Sequence, residues 1–232
     1  DHAEGWASII QAFSEQSEEN IYPDSVLNTI DLLLEDFIEG EEFAVDAYFD
    51  GEGQAVVTNI LHHRFAAKDD TSDRLYSSSK KIIESYLAPF QALIQKIGQR
   101  LGLKYYPFHI EVRITKEGQI IPIEVNPLRF GGWCTTADLS FYGHGFNAYA
   151  YFMEQKAPNW SSIFAGKEHK KQSILVLNNS TGYKRAEIAS FDYARLTSSF
   201  EKVLCLRTLD IANWPLFGFL FVETTSEEEE VL

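Results

Sequence analysis

Residues 108–126, FHIEVRITKEGQIIPIEVN, constrain this chain more tightly than any other stretch. Phe108, Ile110, Val112 and Ile114 alternate with His109, Glu111, Arg113 and Thr115, and Ile121, Ile123 and Val125 alternate with Pro122, Glu124 and Asn126. A period of two is the mark of a strand with one apolar face. Lys116-Glu117-Gly118-Gln119 between the runs reads as a tight hairpin turn, because glycine tolerates positive φ. A turn centred on Glu117-Gly118 sets Glu111 opposite Glu124 and His109 opposite Asn126. Two carboxylates facing each other across a ladder repel unless a cation lies between them. A hard divalent cation such as Mg²⁺ takes carboxylate and amide oxygens, so Glu111, Glu124 and Asn126 are candidate ligands. A register slip of one residue would send the two acids to opposite faces. The plainer alternative is a polar strand face that simply meets water.

Other segments follow the same rules. Residues 4–16 read as an amphipathic helix, and Asp31–Ile38 as a strand buried on both faces. Phe43, Val45, Ala47 and Phe49 mark a second strand, and Asp50-Gly51-Glu52-Gly53 turns it into a third, Ala55–Phe65. His62 and His63 are adjacent, so a strand points them to opposite faces and they cannot share a metal. Residues 66–79 read as a polar loop in which Lys68 and Arg74 are the available cations. Ile82, Ile83, Tyr86, Phe90, Leu93, Ile94, Ile97 and Leu101 form a helical stripe over 80–101, with a kink or break expected at Pro89. A helix over 138–154 is expected to start near Asp138, weakened by Gly143 and Gly145. Further on, Ser173–Leu177, Val203–Leu206 and Leu216–Val222 read as strands. Tyr193, Leu196 and Phe200 share a helical face, and Glu227–Glu230 reads as a charged tail.

A net charge of −14 over 232 residues argues against a nucleic-acid or anionic-membrane surface. It leaves room for a nucleotide site, which needs only a few local cations. No apolar run reaches the ~18 residues of a membrane span. Cys134 and Cys205 are the two cysteines. They are far apart and outside any metal-binding spacing, which suggests a reduced, cytoplasmic compartment. Cys134 reads as a small packing residue or a reactive thiol. Met153 is the sole methionine, so Asp1 is not expected to be a natural start.

Glu111, then Glu124-Val125-Asn126-Pro127 and a glycine-containing loop, resembles the metal-binding hairpin of the ATP-grasp ligases. Leu33–Asp46 resembles the hinge strand of that family, with Glu35 and Glu42 at its spacing. The likeness covers roughly residues 30–155 and is nearest to carboxylate–amine ligase-like members. It implies an α+β fold, an ATP-grasp-type antiparallel sheet flanked by helices, with a C-terminal α/β extension. Residues 1–158 would be the C-terminal portion of the ATP-grasp domain, lacking the upstream lysine and glycine-rich loop, and 159–232 an extension packed on it. It implies ATP and Mg²⁺ as cofactors and a small-molecule carboxylate and amine as substrates, joined through an acylphosphate. Glu111, Glu124 and Asn126 would hold the metal. The backbone of Asp36 and Ile38 would meet the adenine edge, Phe37 and Ile38 would give it apolar contact, Glu35 would accept from its amine, and Glu42 would hold the ribose. Arg113 would neutralise transferring phosphate or pair with Glu111. Arg129 would grip the substrate carboxylate, although many members place arginine directly after Asn-Pro and Leu128 intervenes here. The competing readings are a non-catalytic nucleotide- or metal-binding module and another ATP-grasp activity, such as carboxylation.

Overall fold

The structure is a computed structural model that describes residues 35–65 and 73–225. The chain divides into two compact units, Asp1–Ile38 and Glu39–Leu232. The expected helix over 4–16, residues 31–34 of the expected strand, Lys68 and the Glu227–Glu230 tail lie outside the described residues.

Period-two runs give eight strands in the second unit: β1 (Glu41–Phe49), β2 (Ala55–Arg64), β3 (Leu75–Ser79), β4 (Tyr106–Ile114), β5 (Ile120–Pro127), β6 (Lys170–Asn178), β7 (Lys202–Thr208) and β8 (Leu216–Thr225). They form one sheet in the order β5-β4-β1-β2-β3-β6-β8-β7, antiparallel at every step. This is the α+β architecture expected. Residues 170–225, read as an extension, supply three strands of that same sheet, so the expected boundary at 158 falls inside the second unit.

Alternation gives the sheet two unlike faces. Phe43, Val45, Ala47 and Phe49 of β1 join Phe108, Ile110 and Val112 of β4 in a core closed by α1 (Lys80–Leu101). Ile83, Phe90 and Ile94 return at helical spacing, so α1 lays one apolar stripe on the sheet. Gly98 continues that stripe because a Cβ there would lie 2.0 Å from the Phe49 ring. Ser79 caps the first turn by accepting from Ile82 N, and Gly102 ends the helix at φ 64°. Pro89 does not break α1, which runs on as one element; burial of Ile83 before it and Phe90 and Ile94 after it outweighs the proline penalty of ~3 kcal/mol. The opposite face carries Ala44, Leu61, Ile174, Phe219 and Phe221, packed with Leu139.

Other expectations need correction. Residues 35–38 form no strand, and Phe37 is 66% exposed. Three acids, Glu35, Asp36 and Glu39, surround the lone apolar pair there, which leaves too little apolar surface for a two-faced buried strand. Residues 75–79, read as loop, form β3. Its serines hide the signal, because Ser77 and Ser173 of β6 bond hydroxyl to hydroxyl at 2.9 Å, a pairing invisible in local sequence. The helix expected over 138–154 is three pieces: α2 (Thr135–Leu139), a π-helical turn (Ser140–His144) and α3 (Ala148–Glu154). Gly145, at φ 81°, ends the second piece, and the Asn147 side chain caps the third at Ala150 N. Two short helices follow, α4 (Trp160–Ile163) and α5 (Tyr193–Thr197).

Candidate active site

The β4–β5 hairpin sets the site's register through two local departures that cancel. Thr115 N donates to Gln119 O and Gly118 N to Thr115 O, with Gly118 at φ 78°. This turn is one residue tighter than a turn centred on Glu117-Gly118, so Ile114 faces Ile120. A bulge at Ile123 then restores the offset. Glu111 therefore stands opposite Glu124, and His109 opposite Asn126, the pairing expected from sequence.

On this face β1 contributes Glu42 and Asp46, each at the centre of a charge cluster. Glu42 is buried, with Oε1 2.7 Å from His63 Nδ1 and Oε2 accepting from Arg113 at 2.7–2.8 Å. Burial pushes its carboxyl up, and the bonds from His63 and Arg113 more than offset this, holding it below the usual range. Asp46 Oδ1 is 2.7 Å from His109 Nδ1 and accepts from Gly131 N at 3.0 Å. His109 Nε2 in turn lies 3.4 Å from Glu111 Oε1. Burial works against protonation of His109, but Asp46 and Glu111 prevail and raise its pKa to about 9. The ring is thus an imidazolium at neutral pH, donating from both nitrogens. On β5, Asn126 Nδ2 donates to Glu124 Oε1 at 2.7 Å.

These groups line a cavity of about 530 Å³. The lining combines polar side chains, among them Glu42, His63, His109, Glu111, Arg113, Glu124, Asn126 and Arg129, with apolar ones, Phe65, Trp133, Val176, Leu216 and Phe219. Residues after 170 therefore build part of the cavity wall. The loop 128–134 holds Trp133 and Cys134 at φ 54° and 60°. Arg207 steadies it, bonding the Trp133 carbonyl at 2.9 Å and pairing with Asp138. Backbone strain of this kind costs of order 1–3 kcal/mol and gathers at functional sites.

The donor set suits magnesium. Two opposed carboxylates and an amide, all oxygen-bearing, match an ion held by one or two carboxylates together with substrate phosphates. Among the described residues no group of three or more His, Cys, Asp or Glu is arranged for a metal.

The structure thus brings six of the sequence-derived candidates into one cavity: Glu42, Glu111, Arg113, Glu124, Asn126 and Arg129. Glu42 is a buried strand residue. Arg113 pairs with Glu42 and not with Glu111, because β1 sets Glu42 directly opposite it. Arg129 Nη1 donates to Phe130 O at 3.0 Å. Glu35, Asp36, Phe37 and Ile38 belong to the other unit. Cys134 is exposed, not packed, with Sγ 3.7 Å from the Tyr149 hydroxyl. Sequence reasoning missed Asp46, Trp133 and the β8 wall. A lone acid inside the apolar run Phe43-Ala44-Val45-Asp46-Ala47 was the available signal for the first.

The ATP-grasp domain family matches residues 1–137. The chain belongs to the ATP-grasp family. No curated protein sequence matches it. Among solved structures this ATP-grasp chain resembles an L-amino acid ligase from Bacillus licheniformis, at 20% identity and a TM-score of 0.61, over 84% of this chain and 51% of that one. It also resembles a phosphoribosylglycinamide synthetase from Anaerococcus prevotii, at 14% identity and a TM-score of 0.53, over 84% and 51%. An N5-carboxyaminoimidazole ribonucleotide synthetase from Thermotoga maritima matches at 14% and 0.53, over 84% and 50%. At such identities the likeness is one of fold. The chain spans about half the length of these solved structures.

Proposed function

We propose that this chain belongs to an ATP-dependent ligase that joins a carboxylate to an amine through an acylphosphate, with Mg²⁺ at the β4–β5 hairpin. The observation that carries the reading is the direct opposition of Glu111 and Glu124 across the ladder, inside a cavity that also holds Arg113 and Arg129.

Glu111, Glu124 and Asn126 would hold the metal. When bound, Mg²⁺ neutralises phosphate oxygens and so favours phosphoryl transfer, a step governed by positioning and charge. A substrate carboxylate oxygen bonds to the terminal phosphorus of ATP, and ADP leaves with the electron pair of the broken P–O bond. The amine nitrogen then bonds to the carbonyl carbon, phosphate departs with the C–O electron pair, and the amine loses a proton. Arg129 supplies a planar fork for the substrate carboxylate. Arg113, anchored by Glu42, adds fixed positive charge beside Glu111 on the same strand face. Trp133, Leu216 and Phe219 keep water from the acylphosphate, which would otherwise hydrolyse. Glu42 is the proposed ribose ligand.

The test is release of ADP and phosphate with Mg·ATP and a panel of carboxylates and amines. Release is expected only when both partners are present. Glu124→Ala should lower it by at least ~1,000-fold, since a metal of this kind supplies several kcal/mol, while unfolding stays cooperative. Wild-type turnover in that variant, or release driven by bicarbonate and an amine alone, overturns the reading.

A further inference from the structure

We propose that Asp46 is a positioning residue. Through His109 it fixes the cation-binding carboxylate of Glu111, and through the Gly131 amide it fixes the loop that carries Arg129. The inference rests on the reading of Glu111 as a metal ligand and adds the device that aligns it with the substrate loop.

Asp46 lies at the middle of β1, on the strand between β4 and β2, with 0% exposure. A carboxylate there is costly: the effective penalty for burying an ion is several kcal/mol unless its partners are well placed. Its neighbours on the same face are Ala44 and Tyr48, and Asp46 Oδ2 lacks a hydrogen-bond partner among the described residues. Oδ1 carries the load, taking His109 Nδ1 at 2.7 Å and Gly131 N at 3.0 Å.

Both contacts lead to the site. Asp46 and His109 are direct cross-strand partners. An imidazole bonded at Nδ1 cannot turn about its ring axis, so Nε2 is aimed along β4 at Glu111 Oε1. A glutamate left alone samples several rotamers. Tying one oxygen narrows that choice and would leave the other available to a cation, as with other outer partners of metal ligands. The second contact pins the loop. Gly131 N also reaches Thr136 Oγ1 at 2.9 Å, and Asn59 Nδ2 holds the Thr136 carbonyl at 3.1 Å. A Cβ at residue 131 would lie 2.4 Å from the Thr136 side chain, so only glycine lets the backbone come this close to Asp46. One buried oxygen therefore references both the cation-binding strand and the segment two residues after Arg129.

The experiment measures Mn²⁺ binding by electron paramagnetic resonance on the folded protein, with no turnover required. Asp46→Asn keeps the shape and removes the charge, and His109→Gln breaks the same chain at its next link. Each is expected to weaken Mn²⁺ by ~10–100-fold, the usual cost of losing an outer partner. Tyr48→Phe is the control. It removes a buried bond from the same strand, the Tyr48 hydroxyl to Lys156 O, without touching Asp46 or Glu111, and should stay within about twofold of wild type. Unchanged affinity in a folded Asp46→Asn or His109→Gln protein overturns the proposal and leaves the metal reading standing. An equal loss in Tyr48→Phe also overturns it, by showing a general packing effect. If Glu124→Ala binds Mn²⁺ as well as wild type does, the metal reading fails first and takes this inference with it.

Discussion

The two faces of the sheet are made by alternate residues of the same strands, yet they obey different rules. Phe43, Val45, Ala47 and Phe49 point toward α1 and are wholly apolar. Glu42 and Asp46, interleaved with them, lie on the opposite face, where Glu42 lines the cavity and Asp46 is buried behind it. The first face is held by apolar area, which is non-directional and tolerant of small shifts. The second is held by hydrogen bonds of 2.7 Å between histidines and carboxylates, where a small displacement is expensive. A single strand thus carries a forgiving side and an exacting side, and only the exacting side specifies chemistry.

The largest expected effect tests the forgiving face. Phe90→Ala empties a fully buried ring position on α1 and should cost about 3–5 kcal/mol in equilibrium denaturation. Mn²⁺ affinity of the remaining folded protein should not change; a parallel loss would mean the faces are mechanically linked. Next comes the exacting face. The His109 pKa is raised to about 9 from an ordinary 6.5, so its contribution is complete below pH 6.5, where folded and unfolded states are both protonated. It fades as pH climbs, because the unfolded chain loses that proton first, and is gone above about 9. Stability should fall by roughly 3 kcal/mol across that window, and His109→Gln should flatten the slope. An equally steep slope in the variant would assign it elsewhere. The smallest effect belongs to Gly118→Ala. A Cβ there meets nothing within 4 Å, so the cost is that of φ 78° alone, about 1 kcal/mol. Mn²⁺ binding should survive, because the Ile123 bulge and the Asp46–His109 bond also hold the register. Loss of binding would show that the turn alone decides which acid faces which.

Much of this was legible because alternation is a local signal. It located β1, β2, β4 and β5, and it put Glu111 across from Glu124 even though the turn and the bulge each depart by one residue. What stayed hidden depends on distant partners. Leu75–Ser79 looks like a loop until β6, nearly a hundred residues on, completes its ladder. Pro89 looks like a break until the sheet beneath α1 is known. Asp46 looks like an ordinary polar interruption until Gly131 and His109 arrive from other elements. Trp133, Leu216 and Phe219 are unremarkable apart and meaningful only as one wall.

Among the described strands β5 is outermost next to β4, so Glu124 and Asn126 hang on the rim of the sheet. A rim ribbon is free to peel and reseat without disturbing the central ladders, and its amides should exchange with solvent sooner than those of β1. An outermost strand also offers backbone for a stray chain to pair with. Pro122 and Pro127, which offer no N–H, interrupt that seam. The edge proposed to hold the ion is thereby placed to yield to a guest and blunt enough to refuse another polypeptide.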